Sequence, residues 1–292
     1  MTELERTPVT VLGLGSMGRA LAEAFVAQGH PTTVWNRSAA KAEPLVAAGA
    51  TYRESIADAM AASPLTIACL TTFRATIDSL APVRSLDGRT LVTLNSGTPG
   101  AAREMAQWVA ARGGRFLGGA IKNVPTAVGK PDTLLYYGGD KAVFDEYEPT
   151  LRVLGGDTRH LGGEPDLAAL YESAVGATLL PALLGFLQGA AVLAARGYRA
   201  STMVDHEVKW LQMIESILPV LAEEIDSGDY TRLGSSVNLF HAAIDDDAEI
   251  GAEAGVDMSW HAPMHDLLRR AVAEGHGEQS ITALIELLRK PA

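Results

Sequence analysis

The sequence has little cysteine, little positive charge and few charged residues of any kind. Cys69 is the one cysteine among 292 residues, which excludes an intramolecular disulfide. Lysine and arginine number 24 against 35 aspartates and glutamates, and the resulting net charge of −11 argues against nucleic acid as the main partner. Charged residues make up 20% and apolar residues 47% of the chain, which indicates a globular protein rather than a disordered one.

The amino terminus lacks the features of a secretory signal. Residues Met1–Arg6 carry glutamates where a signal needs a positive region followed by an apolar core. Together with the single cysteine, this predicts a cytoplasmic protein. The length of 292 residues allows one large domain or two domains of ordinary size.

The first part of the chain alternates short apolar runs with amphipathic segments, which predicts an α/β domain with a parallel sheet covered on both faces. The predicted strands are Val9–Leu12, Thr32–Trp35, Leu65–Leu70, Thr90–Leu94, Arg115–Leu117 and Thr133–Tyr137. Between them, the predicted helices are Arg19–Gln28, Ala39–Ala48, Ile56–Ala62 and Ala101–Arg112. After Pro165 the spacing is helical, with segments Leu167–Ala195, His206–Leu221, Asn238–Ala243, His265–Ala273 and Ile281–Arg289. We therefore expect a domain over residues 1–162 and a helical domain over residues 163–292.

The segment Leu167–Ala195 predicts one long interdomain helix that is apolar on most faces. Its uncharged part is long enough to cross a bilayer, but it contains Pro181 and three glycines and is isolated in a globular composition, which disfavours a membrane span. A helical remainder of roughly 120 residues cannot easily cover such a helix. We expect a second subunit to bury it, in a homodimer whose helical halves interlock.

A glycine-rich motif follows the first predicted strand and precedes a helix. It consists of Gly13, Leu14, Gly15, Ser16, Met17 and Gly18. In a G-x-G-x-x-G motif the first glycine makes a tight turn, the second lets the backbone approach a pyrophosphate, and the third packs the helix on the strand. The placement between strand and helix predicts a Rossmann domain that binds a dinucleotide.

The end of the second predicted strand indicates which dinucleotide binds. A carboxylate there would accept the ribose 2′-hydroxyl of NAD and repel a 2′-phosphate, but no acid is present. Asn36, Arg37 and Ser38, with Lys41 one turn later, offer donors and two positive charges instead. NADPH is the predicted cofactor.

Two loops at the carboxyl ends of later strands are expected to line the ribose and nicotinamide, because ligands of such sheets lie at that edge. Their predicted contact residues are Leu70, Thr71, Thr72, Asn95, Ser96 and Thr98. The same residue types also suit ordinary turns, so the pattern alone leaves that alternative open.

These motifs resemble those of the NADPH-dependent imine reductases and reductive aminases, relatives of the β-hydroxyacid dehydrogenases. The resemblance extends from the glycine motif and Val34–Ser38 through Asn95–Pro99 and Gly118–Ile121 to the tail segments Gly275–Glu278 and Ile285–Arg289. It implies reduction of cyclic or acyclic C=N bonds by NADPH, with an imine or a ketone plus an amine as substrate. It also implies a domain-swapped dimer with active sites between one subunit's nucleotide domain and the other's helices.

A β-hydroxyacid dehydrogenase is the nearest alternative function. The resemblance implies that such an enzyme would carry a lysine on the long helix to exchange a proton with the substrate oxygen. Leu167–Ala195 contains no lysine, so a group that would stabilise a developing alkoxide is missing from it. A non-catalytic NADPH-binding sensor is the alternative from another class.

Glu172 is the candidate catalytic residue. The resemblance places it where imine reductases usually carry Asp, Tyr or Asn. Desolvation in an apolar cleft would favour its protonated form as a proton donor, whereas as a carboxylate it would hold an iminium ion in place. Its alternative role is that of an exposed glutamate near the start of a helix.

Other positions implied by the resemblance are expected at the substrate cleft. In the first domain and the long helix they are Thr93, Lys122, Asn123, Tyr171 and Leu180, and on the later helices they are Trp210, Met213, Phe240 and His241. Leu180 stands where many relatives place a polar aromatic residue, and Thr93 where reductive aminases often have Asn. The sequence therefore favours reduction of a preformed imine over efficient coupling of ketone and amine.

A metal site is not expected from the sequence. His261 and His265 are four residues apart, but Pro263 lies between them and no third ligand is evident. Asp245–Asp247 is predicted to be a solvated acidic turn beside a helix.

Overall fold

The computed structural model describes residues 6–289, in which an eight-stranded sheet with its helices precedes a helical unit. The chain divides into two compact units after Ala177. The strands are β1 (Val9–Leu12), β2 (Thr32–Trp35), β3 (Thr51–Tyr52), β4 (Leu65–Ala68), β5 (Thr90–Thr93), β6 (Arg115–Ile121), β7 (Leu134–Gly139) and β8 (Asp157–Gly162). The α-helices of the first unit are α1 (Ser16–Ala27), α2 (Glu43–Ala47), α3 (Ile56–Ala61), α4 (Phe73–Leu80), α5 (Pro99–Ala110), α6 (Lys141–Leu151) and α7 (Leu167–Gly176).

The sheet has the strand order β3-β2-β1-β4-β5-β6-β7-β8. All neighbouring strands are parallel except β6 and β7, which are antiparallel. The chain builds the sheet outward from β1 in one direction, through β2 and β3, and then in the other, from β4 onward. The carboxyl ends of β1 and β4 therefore flank the point where ligands of open α/β sheets bind.

Both faces of the sheet are covered by apolar side chains, as the sequence predicts. Val9 and Val11 of β1 belong to a buried cluster with Phe25 of α1. Leu12 belongs to a second buried cluster with Met60 of α3. Because side chains alternate across a strand, these clusters pack on opposite faces, and β1 is fixed at the centre of the unit.

Some elements of the first unit are not predicted from the sequence, namely β3, β8, α4 and α6. Helix α6 has Pro149 in its last turn, which is unusual for a helix interior. It forms because Asp140 caps its start by accepting a hydrogen bond from the Ala142 N–H at 2.8 Å. Phe144 and Tyr147 then face the core at helical spacing and are buried.

The long helix predicted over Leu167–Ala195 is interrupted. Helix α7 ends at Gly176, and helix α8 (Leu179–Ala195) begins after Ala177 and Thr178. Pro181 has no N–H to donate to the carbonyl of Ala177, so the regular hydrogen bonding of a continuous helix cannot run through this point. The break coincides with the boundary between the two units.

In its described residues the second unit has helices joined by loops, and one isolated antiparallel bridge pairs Ser236 with Ser280. After α8 come α9 (Val204–Ser227), α10 (Val237–Ala242), α11 (Ile244–Ala254), α12 (Ala262–Ala273) and α13 (Ile285–Leu288). Its own core is small and centres on Tyr230 and Val237, whereas α8 has no buried residue at all.

The segment Leu167–Ala195 is long enough to cross a membrane and has a mean hydropathy of 1.8, as a membrane-spanning helix would have. A single segment of this kind is weak evidence for a membrane protein, because the core helix of a soluble protein meets the same criteria.

A buried carboxylate organises the second unit. Glu224 of α9 is 0% exposed and accepts hydrogen bonds from the Ser280 hydroxyl at 2.5 Å and from the main-chain N–H groups of Arg232 and Leu233 at 2.7 and 3.0 Å. Burial alone would raise the pKa of Glu224, but these hydrogen bonds outweigh it and lower the pKa to about 2. The ionised side chain ties the end of α9 to the segment before α13.

Candidate functional site

The glycine motif forms a tight loop between β1 and α1. Gly13 has φ +91°, and a Cβ there would lie 2.5 Å from the carbonyl oxygen of Cys69. A Cβ on Gly18 would lie 1.9 Å from the carbonyl oxygen of Gly13, so α1 packs directly on the loop. A Cβ on Gly15 would meet no atom within 4 Å. The first and third glycines are required by the protein itself, and the second leaves open space for a ligand.

The start of α1 presents unpaired main-chain N–H groups. Gly15 occupies the N-cap position, and no side chain caps the helix. Ser16 is exposed and Met17 is half-buried, while Leu14 is buried. Because the first N–H groups of a helix carry partial positive charge and lack partners, this end of α1 can bind a phosphate.

Asn36 links the end of β2 to the glycine loop. Its Oδ1 accepts a hydrogen bond from the Leu14 N–H at 2.9 Å, and its Nδ2 donates to the Ser38 carbonyl at 3.0 Å. Asn36 therefore holds the glycine loop in position, in addition to its predicted role in binding the cofactor. Arg37, Ser38 and Lys41 follow and are all exposed. In the described part of the chain, neither Arg37 nor Lys41 forms an ion pair.

Three residues of the two predicted cofactor loops have side chains that stabilise the local turns and helix starts. Asn95 is buried, and its Nδ2 donates to the Leu70 carbonyl and to Thr76 Oγ1 at 3.0 and 2.8 Å. Thr72 caps α4 by accepting from the Ala75 N–H at 3.0 Å. Thr98 caps α5 by accepting from the Ala101 N–H at 3.2 Å. These contacts are the turn and cap roles that the sequence left open as an alternative.

In the same two loops, Thr71, Thr72, Ser96 and Thr98 are exposed, whereas Asn95 is buried. The Ser96 hydroxyl donates a hydrogen bond to Glu172 Oε1 at 2.9 Å. A residue of the loop after β5 is therefore in direct contact with the candidate catalytic residue on α7, although 76 positions separate them in sequence.

Glu172 is half-buried on α7 and has a cation beside it. Lys122, at the end of β6, points its ammonium toward this helix, and Nζ lies 3.4 Å from the main-chain oxygen of Glu172. The long helix itself carries no lysine, and Lys122, which the sequence places at the substrate cleft, brings a basic group to α7 from the end of a neighbouring strand.

Tyr136 on β7 is a residue near Glu172 that the sequence analysis does not identify. It is 3% exposed, and its hydroxyl has no hydrogen-bond partner among the described residues. Burial, and to a lesser extent the charge of Glu172, raise the pKa of Tyr136 to about 12, so its hydroxyl stays protonated at neutral pH. Tyr171 packs edge-on against it with ring centroids 6.2 Å apart. The one sequence signal was its place on a predicted strand, which gives no information about proximity to α7.

The remaining predicted cleft residues fall into different environments. Thr93 is 0% exposed, so it does not line an open surface of this chain, and its hydroxyl has no partner in the described part. Asn123 is exposed and accepts a hydrogen bond from the Val124 N–H at 2.9 Å. The others lie in the second unit, namely Leu180 on α8, Trp210 and Met213 on α9, and Phe240 and His241 on α10. Four of these five are exposed, and His241 is half-buried.

The sequence matches two known protein families that together cover nearly the whole chain. Residues 8–162 match the NAD binding domain of 6-phosphogluconate dehydrogenase. Residues 164–290 match the family described as NADPH-dependent reductive aminase-like, C-terminal domain. These matches agree with the Rossmann-like sheet and helical second unit described above.

Individual proteins resemble the chain over its full length. An NADPH-dependent reductive aminase from Aspergillus oryzae is 33% identical, over 96% of this chain and 97% of the relative. A reductive aminase from Aspergillus terreus, solved with NADPH4, cyclohexanone and allyl amine, is 37% identical with a TM-score of 0.92, covering 97% of this chain and 99% of that one. An imine reductase from Bacillus cereus is 32% identical with a TM-score of 0.86, covering 98% of this chain and 100% of that one.

Proposed function

Since this chain belongs to the family of NADPH-dependent reductive aminases, we propose that it uses NADPH to reduce the C=N bond of an imine or iminium ion to an amine. It is an oxidoreductase acting on C=N bonds. The observation that carries the proposal is the hydrogen bond between Ser96 and Glu172, which holds a carboxyl group against a loop at the carboxyl edge of the sheet. That edge is where a dinucleotide lies in proteins of this fold.

The residues of the glycine loop and of β2 fit a phosphorylated nicotinamide dinucleotide. The open space at Gly15 and the uncapped start of α1 suit a pyrophosphate. The exposed cations Arg37 and Lys41 suit a 2′-phosphate, because arginine can donate two parallel hydrogen bonds to it. When bound, NADPH supplies the hydride.

The substrate nitrogen needs a partner for its positive charge, and Glu172 provides a carboxyl group for it. Protonated, this group donates a proton to an imine nitrogen, and ionised, it holds an iminium ion. Ser96 orients the carboxyl by donating to Oε1, which leaves Oε2 for the substrate. Tyr136, which stays neutral at physiological pH, keeps a protonated hydroxyl in the same region.

The assay that tests this function follows nicotinamide absorbance. We expect the purified protein to oxidise NADPH in the presence of a five- or six-membered cyclic imine. Tight NADPH binding without oxidation would identify a non-catalytic sensor instead. Oxidation of a 3-hydroxy acid with NADP, without imine reduction, would identify a β-hydroxyacid dehydrogenase, in which Lys122 would be the group that stabilises the alkoxide.

A preformed imine is proposed as the better substrate than a ketone plus an amine. Coupling requires the enzyme to assist both condensation and loss of water, which calls for additional polar groups. Leu180 on α8 cannot donate a hydrogen bond, and the buried Thr93 does not present its hydroxyl on an open surface.

A cytoplasmic location is proposed on the basis of the single cysteine.

Replacing Arg37 by alanine tests the choice of cofactor. Loss of the charge-assisted bidentate contact between Arg37 and the 2′-phosphate should weaken NADPH binding and raise the KM for NADPH about 10- to 100-fold. The KM for NADH should change by less than about 2-fold, because NADH has no 2′-phosphate for Arg37 to bind. Steady-state kinetics with both cofactors measures the difference.

The matched control for this change is Arg84→Ala. Arg84 is also exposed, but it lies in the connection that leads to the amino end of β5, at the opposite edge of the sheet. We expect it to leave both KM values unchanged. Equal increases for NADPH and NADH in the Arg37 variant would refute a contact with the 2′-phosphate.

The functional assembly is proposed to be a homodimer in which a second copy covers α8. Leu180 and Leu187 are 63% and 62% exposed, and no residue of this 17-residue helix is buried in the isolated chain. Such a contiguous apolar surface is rare on a monomer and is typical of an interface. We propose that the second copy also supplies Trp210, Met213 and Phe240 as a wall of the substrate cleft.

A further inference from the structure

Three potential metal ligands from three helical elements come together in the second unit. Asp247 lies in the first turn of α11, His261 ends the short 3₁₀ turn Ser259–His261, and His265 lies on α12. Asp247 Oδ2 is 3.0 Å from His261 Nδ1 and 3.0 Å from His265 Nε2. The three ligand atoms all lie within 4.8 Å of one another.

The cluster is largely shielded from solvent. The side chains of His261 and His265 are 13% and 16% exposed, and that of Asp247 is 35% exposed. Trp260 packs edge-on against the His261 ring at 4.2 Å between centroids and donates a hydrogen bond from Nε1 to Gln188 at 2.6 Å. The orientation of the His261 side chain is therefore supported by packing, which reduces the entropy lost when a ligand binds.

Both reasons that disfavoured a metal in the sequence are removed by the structure. Pro263 is the second residue of α12, where its missing N–H costs no helical hydrogen bond, so the two histidines share one side of the segment. The structure also supplies a third candidate ligand, because Asp245–Asp247 forms the first turn of α11, where Asp245 and Asp246 are exposed as expected and Asp247 is half-buried beside the histidines.

We propose that Asp247, His261 and His265 bind one divalent first-row transition metal ion, with Zn²⁺ as the ion that suits them best. Two imidazole nitrogens and a carboxylate oxygen are donors that Zn²⁺ accepts at about 2.0–2.2 Å, and three protein ligands with water complete its shell. Ligands of one such ion stand about 3 to 3.5 Å apart, so the two carboxylate–imidazole distances already fit and the imidazoles need only a small adjustment.

The role of this ion is structural, and it is independent of imine reduction. It links α11 to α12 across the connection formed by residues 255–261, which ends in the 3₁₀ turn of His261. The unit has a small core of its own, so a further cross-link between two of its helices stabilises it appreciably.

The test uses the full-length chain without an affinity tag, stripped with a chelator and dialysed. Titration calorimetry with Zn²⁺ should show one ion per chain, and Co²⁺ should give the visible absorption of a low-coordinate site. Asp247→Asn and His261→Ala should each weaken Zn²⁺ binding about 100-fold or more, because each removes one of three ligands. Zn²⁺ at 100 times its Kd should also raise the melting temperature of the unaltered chain.

The matched control is His206→Ala, which removes an exposed histidine of α9 and should leave Zn²⁺ binding unchanged. Asp247→Asn keeps a hydrogen-bond acceptor for both imidazoles, so it separates metal binding from folding. The proposal is overturned if the unaltered chain takes up no stoichiometric Zn²⁺ at micromolar concentration, or if Asp247→Asn and His261→Ala bind it as tightly as the His206 variant. Either result would leave a hydrogen-bonded cluster only.

Discussion

Replacing Glu172 by alanine is expected to lower kcat for imine reduction roughly 100- to 10,000-fold, the range in which a positioned proton donor contributes to catalysis. The affinity for NADPH should remain close to unchanged, because the glycine loop and the cations after β2 lie on other elements. Single-turnover kinetics measures the chemical step, and fluorescence titration measures NADPH binding. An unaltered turnover number would remove Glu172 from the mechanism.

Two further variants distinguish charge from geometry at this position. Glu172→Gln keeps an oxygen that can accept the Ser96 hydrogen bond, but it neither ionises nor donates a carboxyl proton, so its loss of kcat should approach that of alanine. Glu104→Ala removes an exposed carboxylate on α5 and serves as the matched control with full activity expected. If Glu172→Gln retained full activity, the residue would position the substrate without carrying charge or a proton.

Introducing carboxylates at Leu183 and Leu187 is expected to dissociate the proposed homodimer. The two residues are one helical turn apart on α8 and are 51% and 62% exposed in the isolated chain, so the double Leu→Glu variant should fold. Two carboxylates at an apolar interface cost far more than they do in water. Sedimentation should then give the mass of one chain, 30.8 kDa, and the unaltered protein should give twice that value if the proposed dimer forms.

The dissociated variant should also lose imine reductase activity by roughly 100-fold or more, because a cleft without its second wall no longer positions the substrate. NADPH binding should persist, since its predicted residues all belong to the first unit. Val46→Glu places a carboxylate on an exposed apolar position of α2 and should leave both mass and activity unchanged. An unaltered protein that sediments as one chain while fully active would refute the dimer.

The parts of the fold that depend on local sequence could be predicted from it. The glycine motif is local, since Gly13 turns the chain and Gly18 contacts Gly13 only five residues away. The hydrophobic periodicity of β1, β2, β4 and β5 likewise predicted strands close to those observed. Strand β3 has only two residues, and a strand that short carries too little periodicity to be recognised.

The environment of Glu172 could not be predicted, because it is made by residues distant in sequence. Ser96 comes from the loop after β5, Lys122 from the end of β6 and Tyr136 from β7, and only the strand order brings them to one helix. Lys122 was expected at the substrate cleft from the resemblance, but its contact with the main-chain oxygen of Glu172 depends on the strand order and could not be read from the sequence. Asp247 was overlooked beside His261 for the same reason.

The close packing of Gly18 against Gly13 shows which positions of the nucleotide domain can be substituted and which cannot. Since any larger residue at Gly18 would collide with main-chain atoms, no compensating side-chain change can rescue it. The side chains of Arg37 and Lys41 are exposed, so substitutions at these two positions would not disturb the packing of the domain. Descendants of this chain that acquire a new nucleotide preference should therefore differ at the rim after β2 while sharing an invariant loop.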